Sequence, residues 1–309
     1  MATDQSINLK DLLSRLHLGD QRALSRCISL VENNATDSSA ILENLDTKIK
    51  ARVIGITGPP GAGKSTLVNA LLENLTSKDK NCKIAVLAID PTSPFTHGSL
   101  LGDRLRMNEH YDNPSIYIRS LATRGALGGL SARTIEISDV LQAAGFKYIF
   151  IETVGVGQSE VEIASIADTT IVVFVPESGD EIQTIKSGIM EIADIFVVNK
   201  ADREGADRLV KSLVSTLHDR SPASWQIPVL KTNASSRQGI DEIMTCVKEH
   251  AKSDFSGSDK KELLYNKATR LATNYILKNL DHKKFRSELE KAEKLPGFNV
   301  YRFIATFPY

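Results

Sequence analysis

Gly58-Pro59-Pro60-Gly61-Ala62-Gly63-Lys64-Ser65-Thr66 is the stretch on which the fold turns. Through Ser65 it satisfies the pattern G-x-x-x-x-G-K-[ST] in full. The run before it, Ala51-Arg52-Val53-Ile54-Gly55-Ile56-Thr57, is apolar and β-branched. After it Leu67, Val68, Leu71, Leu72 and Leu75 recur at helical spacing. Strand, glycine-rich loop and helix in that order make a phosphate cradle. The glycines let backbone N–H groups turn inward, and the helix N-terminus adds positive potential. In such a cradle Lys64 reaches the β- and γ-phosphates and the Ser65 hydroxyl ligates Mg²⁺.

Outward from the loop, apolar runs at 53–56, 84–89, 115–118, 148–151, 170–175, 195–198 and 227–230 alternate with helical patterns. Alternation of this kind predicts an α/β fold of the P-loop NTPase type, with a mainly parallel, doubly wound sheet. Its ligand belongs at the carboxyl ends of the strands. Residues 1–50 read as an N-terminal helical extension. Leu9, Leu12, Leu13 and Leu16 form one stripe, Gly19 is placed to end that helix, and Asp20 to cap the next. The nucleotide domain then spans 51–252. Ser253 to Asp259 reads as a linker, followed by a helix striped with Leu264, Ala268, Leu271 and Tyr275 and another around 284–294 stopped by Pro296-Gly297. Two helices cannot bury a core alone, so 253–309 is expected to pack on the main domain or on a second copy of the chain.

Composition narrows the partners. Lys+Arg and Asp+Glu are 38 each in 309 residues, which gives no electrostatic case for nucleic acid or an anionic membrane surface. No run approaches the ~18 apolar residues of a membrane span, and the N-terminus lacks a signal-peptide pattern. The three cysteines are scattered, with no disulfide framework or metal pair. A cytoplasmic protein is the expectation.

The informative residues follow the strands. The second run ends in Asp90-Pro91-Thr92, with Gly102-Asp103-Arg104 beyond. The fourth ends in Glu152-Thr153-Val154-Gly155, an acid after an apolar strand with a glycine three residues on. Glu152 would hold Mg²⁺ or its waters, and the Gly155 N–H could meet the γ-phosphate. Ser65, Asp90, Asp103 and Glu152 are more oxygen ligands than Mg²⁺ needs beside phosphate, so some act through water or in one nucleotide state. The sixth run ends in Asn199-Lys200-Ala201-Asp202, an N-K-x-D string that reads guanine. The Asp202 carboxylate accepts from guanine N1–H and the 2-amino group, and adenine offers neither donor there. A last base contact is expected in Lys231-Thr232-Asn233-Ala234.

On these residues the chain resembles the methylmalonyl-CoA mutase-associated GTPases, the MeaB/ArgK family of P-loop GTPases, relatives of the metallochaperone GTPases. The matching stretches are Gly58–Thr66, Asp90–Thr96, Gly102–Arg104, Thr123–Gly125, Glu152–Glu160, Gly179–Gln183 with Lys186-Ser187-Gly188, and Asn199–Asp202. The resemblance implies a homodimeric GTPase that binds GTP and GDP. It implies escort of an adenosylcobalamin (B12)-dependent acyl-CoA mutase, gating cofactor loading and protecting the enzyme, with no cobalamin site of its own. It makes Gly155–Glu160, with Val156, Gly157 and Gln158, a switch, and the segment around Asp180, Gln183 and Lys186 a second one. Gln183 and Lys186 are three apart on a short helical stretch and face the same way, so Lys186 could stabilise charge on the γ-phosphoryl oxygens. His97 and Asn233 depart from the family pattern, where glycine and serine are expected.

Two other readings share the phosphate loop. One is a kinase or ATPase of a lysine-arginine-ornithine transport system, as older names for relatives suggest. The other is a metal-delivery GTPase, which would need closely spaced Cys or His ligands that this sequence does not carry.

Overall fold

A computed structural model describes residues 8–46, 48, 50–90, 108–110, 112–122, 133–153, 162–177, 190–218, 225–253, 257–295 and 298–307. The chain divides into two compact units, Met1–Gly257 and Ser258–Tyr309.

The first unit opens with α1 (Leu9–His17), α2 (Gln21–Glu32) and α3 (Ser38–Glu43). The sequence sets the first two boundaries. Asn8 accepts from Asp11 N at the start of α1. Gly19 turns the chain at φ +80, and Asp20 caps α2 by accepting from Arg22 N and Ala23 N. Arg15 grips the same Asp20 carboxylate at 2.8 Å, and the Ala23 N–H, the Arg15 guanidinium and the Arg22 N–H together hold that carboxyl below its ordinary range. Then β1 (Arg52–Thr57), α4 (Lys64–Lys78), β2 (Ile84–Asp90), β3 (Ile116–Ala122), α5 (Thr134–Ala143) and β4 (Tyr148–Glu152) follow. After them come β5 (Thr169–Phe174), β6 (Ile195–Val198), α6 (Ala206–His218), β7 (Val229–Lys231) and α7 (Ile240–Lys252). Short 3-10 turns stand at Asn108–His110, Ile163–Ser165 and Ala234–Ser236, and a helical turn at Met190–Ile192.

The strands form one sheet in the order β3-β2-β4-β1-β5-β6-β7, every pair parallel. Every residue of β4 and β5 is buried, as expected of inner strands covered on both faces. The two-residue period sorts the side chains. Val53, Leu87, Ile149 and Ile151 join one core with Leu16, Leu24, Ile28 and Ile41 from α1–α3 and Val140 and Leu141 from α5. Ile54, Ile56, Val86, Phe150, Val173 and Val197 point the other way, onto Leu67, Leu71 and Leu75 of α4 and Ile243, Met244 and Val247 of α7. The N-terminal helices therefore close one face of the sheet.

All seven strands anticipated from the apolar runs are present. The third is longer than expected, because Ser120 to Ala122 stay paired with β2 to its end. The seventh begins two residues later. The helical patterns that fall between the second and third, the fourth and fifth, and the fifth and sixth runs lie wholly or partly outside the described residues.

The second unit consists of α8 (Gly257–Asn279), α9 (His282–Glu293) and α10 (Val300–Thr306). Asp281 caps α9, and Asn299 caps α10 by accepting from Tyr301 N and Arg302 N. Phe285, Phe303 and Phe307 form its small core, with ring centroids 4.9–5.7 Å apart. Two features differ from the sequence expectation. Helix α8 starts at Gly257, inside the stretch read as a linker, and α10 was not anticipated. The cap residue Asn299 was the available signal for α10.

Candidate nucleotide site

The loop after β1 is shaped by two close approaches. Gly58 has φ +138, and a Cβ there would lie 2.1 Å from the Val173 carbonyl oxygen. Gly63 has φ +83, and a Cβ there would lie 2.5 Å from Asn199 Nδ2. Both positions exclude any side chain, which is why the loop lies flat against β5 and β6. Lys64 opens α4 and is 7% exposed. Its Nζ donates to the carbonyls of Gly58 at 2.8 Å and Pro59 at 3.0 Å.

Strand β4 runs beside β1, with Ile56 opposite Glu152. That register puts the β4 carboxyl end next to the start of α4. The Ser65 hydroxyl donates to Glu152 Oε1 at 2.6 Å, both side chains being buried. One step along, Thr153 Oγ1 donates to Thr57 Oγ1 at 2.9 Å, pinning the two strand ends together. A buried hydroxyl and carboxylate side by side form an oxygen donor set that suits Mg²⁺.

The end of β6 is bonded directly to the loop. Asn199 is 2% exposed, and its Nδ2 donates to the Ala62 carbonyl at 2.9 Å. Its Oδ1 accepts from Ala234 N at 3.1 Å and from Thr232 Oγ1 at 3.3 Å, which ties in the end of β7. Lys200 takes a left-handed conformation, φ +54, and its Nζ donates to the Gly61 carbonyl at 2.9 Å. Asp202 is exposed beyond them, and its Oδ1 accepts from Asn233 Nδ2 at 2.7 Å.

The structure thus brings together Gly58, Pro59, Gly61, Ala62, Gly63, Lys64, Ser65, Glu152, Asn199, Lys200, Asp202, Asn233 and Ala234. Pro60 and Thr66 lie within the same loop and helix start. Asp90 closes β2, with its backbone opposite Ala122. Asp103, Gly155, Val156, Gly157, Gln158, Asp180, Gln183 and Lys186 lie outside the described residues. Two contributors are not singled out by the sequence motifs. Thr57 closes β1 and Thr153 follows β4, and a polar residue at the carboxyl end of a strand is their only signal. A further tie, Arg237 to Glu73 at 2.6 Å, joins the turn after Ala234 to α4.

A parallel sheet with its phosphate loop after the central strand, locked to an N-K-x-D strand end, defines a P-loop GTPase. Known proteins agree. The family described as methylmalonyl Co-A mutase-associated GTPase MeaB matches residues 24–287, and the chain belongs to that family. It is 47% identical over 249 residues to a putative GTPase of Pyrococcus horikoshii, covering 79% of this chain and 78% of the other. It is 37% identical over 246 residues to the GTPase ArgK of Escherichia coli, covering 76% and 73%. Among solved structures, that of an LAO/AO transport system kinase is 26% identical, with a TM-score of 0.69 over 96% of both chains. The chain is a guanine-nucleotide-binding GTPase of this family. Among the described residues no helix is long and apolar enough to cross a membrane.

Proposed function

We propose that this GTPase is a Mg²⁺-dependent chaperone of an adenosylcobalamin-dependent acyl-CoA mutase, hydrolysing GTP to control cofactor loading and protection of that enzyme. The observation that carries the GTPase half is the pair of bonds from Asn199 and Lys200 to the carbonyls of Ala62 and Gly61, which make one rigid body of the base and phosphate ends. Support for the mutase half comes from the family's description and from a 35% identical relative described as a methylmalonic aciduria type A homolog, mitochondrial, of Caenorhabditis elegans.

In this reading Asp202 accepts from guanine, and Lys64 Nζ exchanges the carbonyls of Gly58 and Pro59 for β- and γ-phosphate oxygens. Ser65 and Glu152 would hold Mg²⁺, with Asp90 and Asp103 acting through water or in one nucleotide state. Held there, the ion would supply charge neutralisation to the phosphates. Lys186 and Gln183 would complete the site when a partner docks, and Val156, Gly157, Gln158 and Asp180 would carry the nucleotide signal to it. A homodimer fits the second unit, where Leu264 and Tyr275 on α8 are 65% and 66% exposed.

The test is a pull-down from the native lysate with the protein held in GDP and in a non-hydrolysable GTP analogue. An acyl-CoA mutase captured differently in the two states is the expected result. Nucleotide-independent capture, or none, would remove the mutase from the account. The likeness to the LAO/AO transport system kinase keeps one alternative, transfer of the γ-phosphoryl group to an acceptor. Label from the γ-phosphate recovered on a protein or amino acid, rather than as inorganic phosphate, would favour it.

A further inference from the structure

The Asn233 side chain is bonded at both ends. Its Oδ1 accepts from Ser236 N at 3.2 Å, capping the 3-10 turn Ala234–Ser236. A backbone N–H can only donate, so the amide oxygen must face it and the NH₂ must face Asp202. That NH₂ donates to Asp202 Oδ1 at 2.7 Å. The backbone of Asn233 is fixed as well. It exchanges both hydrogen bonds with Gln238, N to O at 3.1 Å each way, closing a small loop after β7. Asp202 itself sits on a short tether. Ala201 N donates to the Thr232 carbonyl at 2.9 Å, and Lys200 is held in its left-handed turn by Gly61.

We infer that Asn233 is a positioning residue that sets the orientation of the Asp202 head group and so dictates which purine is read. It is not itself a base contact through its side chain. The inference rests on the reading that Asp202 recognises guanine. A carboxylate accepts at both oxygens, so one N–H from Asn233 on Oδ1 fixes its plane and leaves acceptor sites for the base N1–H and 2-amino group. The orientation effect is hidden while position 202 carries two identical oxygens. It appears once they differ.

Asp202→Asn makes them differ. The NH₂ of Asn233 demands an acceptor, so the new amide must turn its oxygen to Asn233 and its NH₂ to the base. That NH₂ suits the 2-oxo group of xanthine and clashes with the donors of guanine. Adding Asn233→Asp reverses the demand. The carboxylate at 233 still accepts from Ser236 N, so the turn keeps its cap, but its other oxygen needs a donor. The amide at 202 then turns its oxygen to the base and accepts from guanine again.

The experiment measures affinity for GTP and XTP by competition on the full chain. Asp202→Asn is expected to favour XTP over GTP by about ten- to a hundredfold, the range for hydrogen bonds that are lost and left unpaired. Adding Asn233→Asp is expected to return the preference to GTP, lowering the XTP:GTP ratio by roughly tenfold or more. If Asp202→Asn alone gains nothing for XTP, the guanine reading fails first. If it gains XTP and the double variant keeps the same ratio, the positioning role of Asn233 is overturned. Should the double variant not fold, Asn233→Ala in the Asp202→Asn background reads the same orientation. It frees the amide to turn, so the XTP preference should fall toward parity, and an unchanged preference again overturns the inference.

Discussion

Lys64 is a buried cation whose Nζ bonds include two carbonyls of its own loop. A charge in that position needs oxygen partners, and phosphate oxygens supply stronger ones than carbonyls do. Lys64→Ala is expected to weaken GTP binding by at least about a hundredfold, because a charge-assisted contact to two phosphates is lost. Fluorescent GTP titration checks it, and affinity within a few-fold of wild type would take the phosphate contact away from this residue. Most of the loop was legible from spacing alone, since G-x-x-x-x-G-K-[ST] fixes both the glycines and the cation. N-K-x-D likewise placed Asn199, Lys200 and Asp202. What spacing did not reveal was the bonding between the two motifs. Asn199 to Ala62 and Lys200 to Gly61 join residues far apart in the chain, and only the adjacency of β1, β5 and β6 brings them together. The sequence offers Asn233 as a base contact, and the structure adds its side-chain bonds to Asp202 and to the following turn.

Among the elements, β1 carries an unusual neighbour. A Cβ on Gly55 would lie 2.4 Å from Cγ1 of the fully buried Ile163 and 3.1 Å from the Ala167 methyl. The 3-10 turn Ile163–Ser165 therefore rests directly on the strand that leads into the phosphate loop, and Asp168 next to it accepts from Val53 N at 2.8 Å. Gly55→Ala overpacks this contact and is expected to destabilise the chain by about 1–3 kcal/mol. Ile163→Ala costs stability by itself through the cavity it leaves. Combined, the two should lose less than the sum of the singles, since one methyl then occupies space the other has vacated. Urea melts of the set decide it, and strict additivity would mean that the strand and the turn are not in rigid contact. The apolar, β-branched runs announced the strands themselves. Short turns such as Ile163–Ser165 left no periodic signal, because three residues are too few to show one.

Across the whole molecule, the ends of the sheet divide the work. The carboxyl ends of β1, β4 and β6 carry the candidate nucleotide residues. At the opposite edge, Asp194 before β6 and His250 in the last turn of α7 face each other at 3.4 Å. Asp194 also accepts from Thr170 N at 2.7 Å, Thr169 Oγ1 lies 2.9 Å from His250 Nδ1, and Trp225 Nε1 donates to the Asp194 carbonyl. Burial pushes the Asp194 carboxyl up from 3.8 to about 6 and the His250 imidazole down from 6.5 to about 4, the latter helped by the charge of Arg52. The folded chain keeps a proton on Asp194 that the unfolded chain has released, so this group's contribution falls as pH rises from about 4 to about 6. The unfolded His250 takes up a proton that the folded one refuses, so its contribution rises with pH from about 4 to about 6.5. The slopes oppose, and wild-type stability should vary little on their account. Asp194→Asn removes the falling slope. Its stability is expected to rise by on the order of 2 kcal/mol across that window relative to wild type, read from chemical denaturation at a series of pH values. A profile parallel to wild type would contradict the opposed pair.

The proposed dependence of GTP turnover on an adenosylcobalamin-dependent acyl-CoA mutase is measured by single-turnover GTP hydrolysis with and without that enzyme. Slow hydrolysis alone and clear acceleration by the mutase are expected. Gln183→Ala and Lys186→Ala are expected to keep near-normal GTP affinity and basal rate but to lose most of the acceleration. Identical rates with and without the mutase for the wild-type chain would rule out a mutase-gated GTPase.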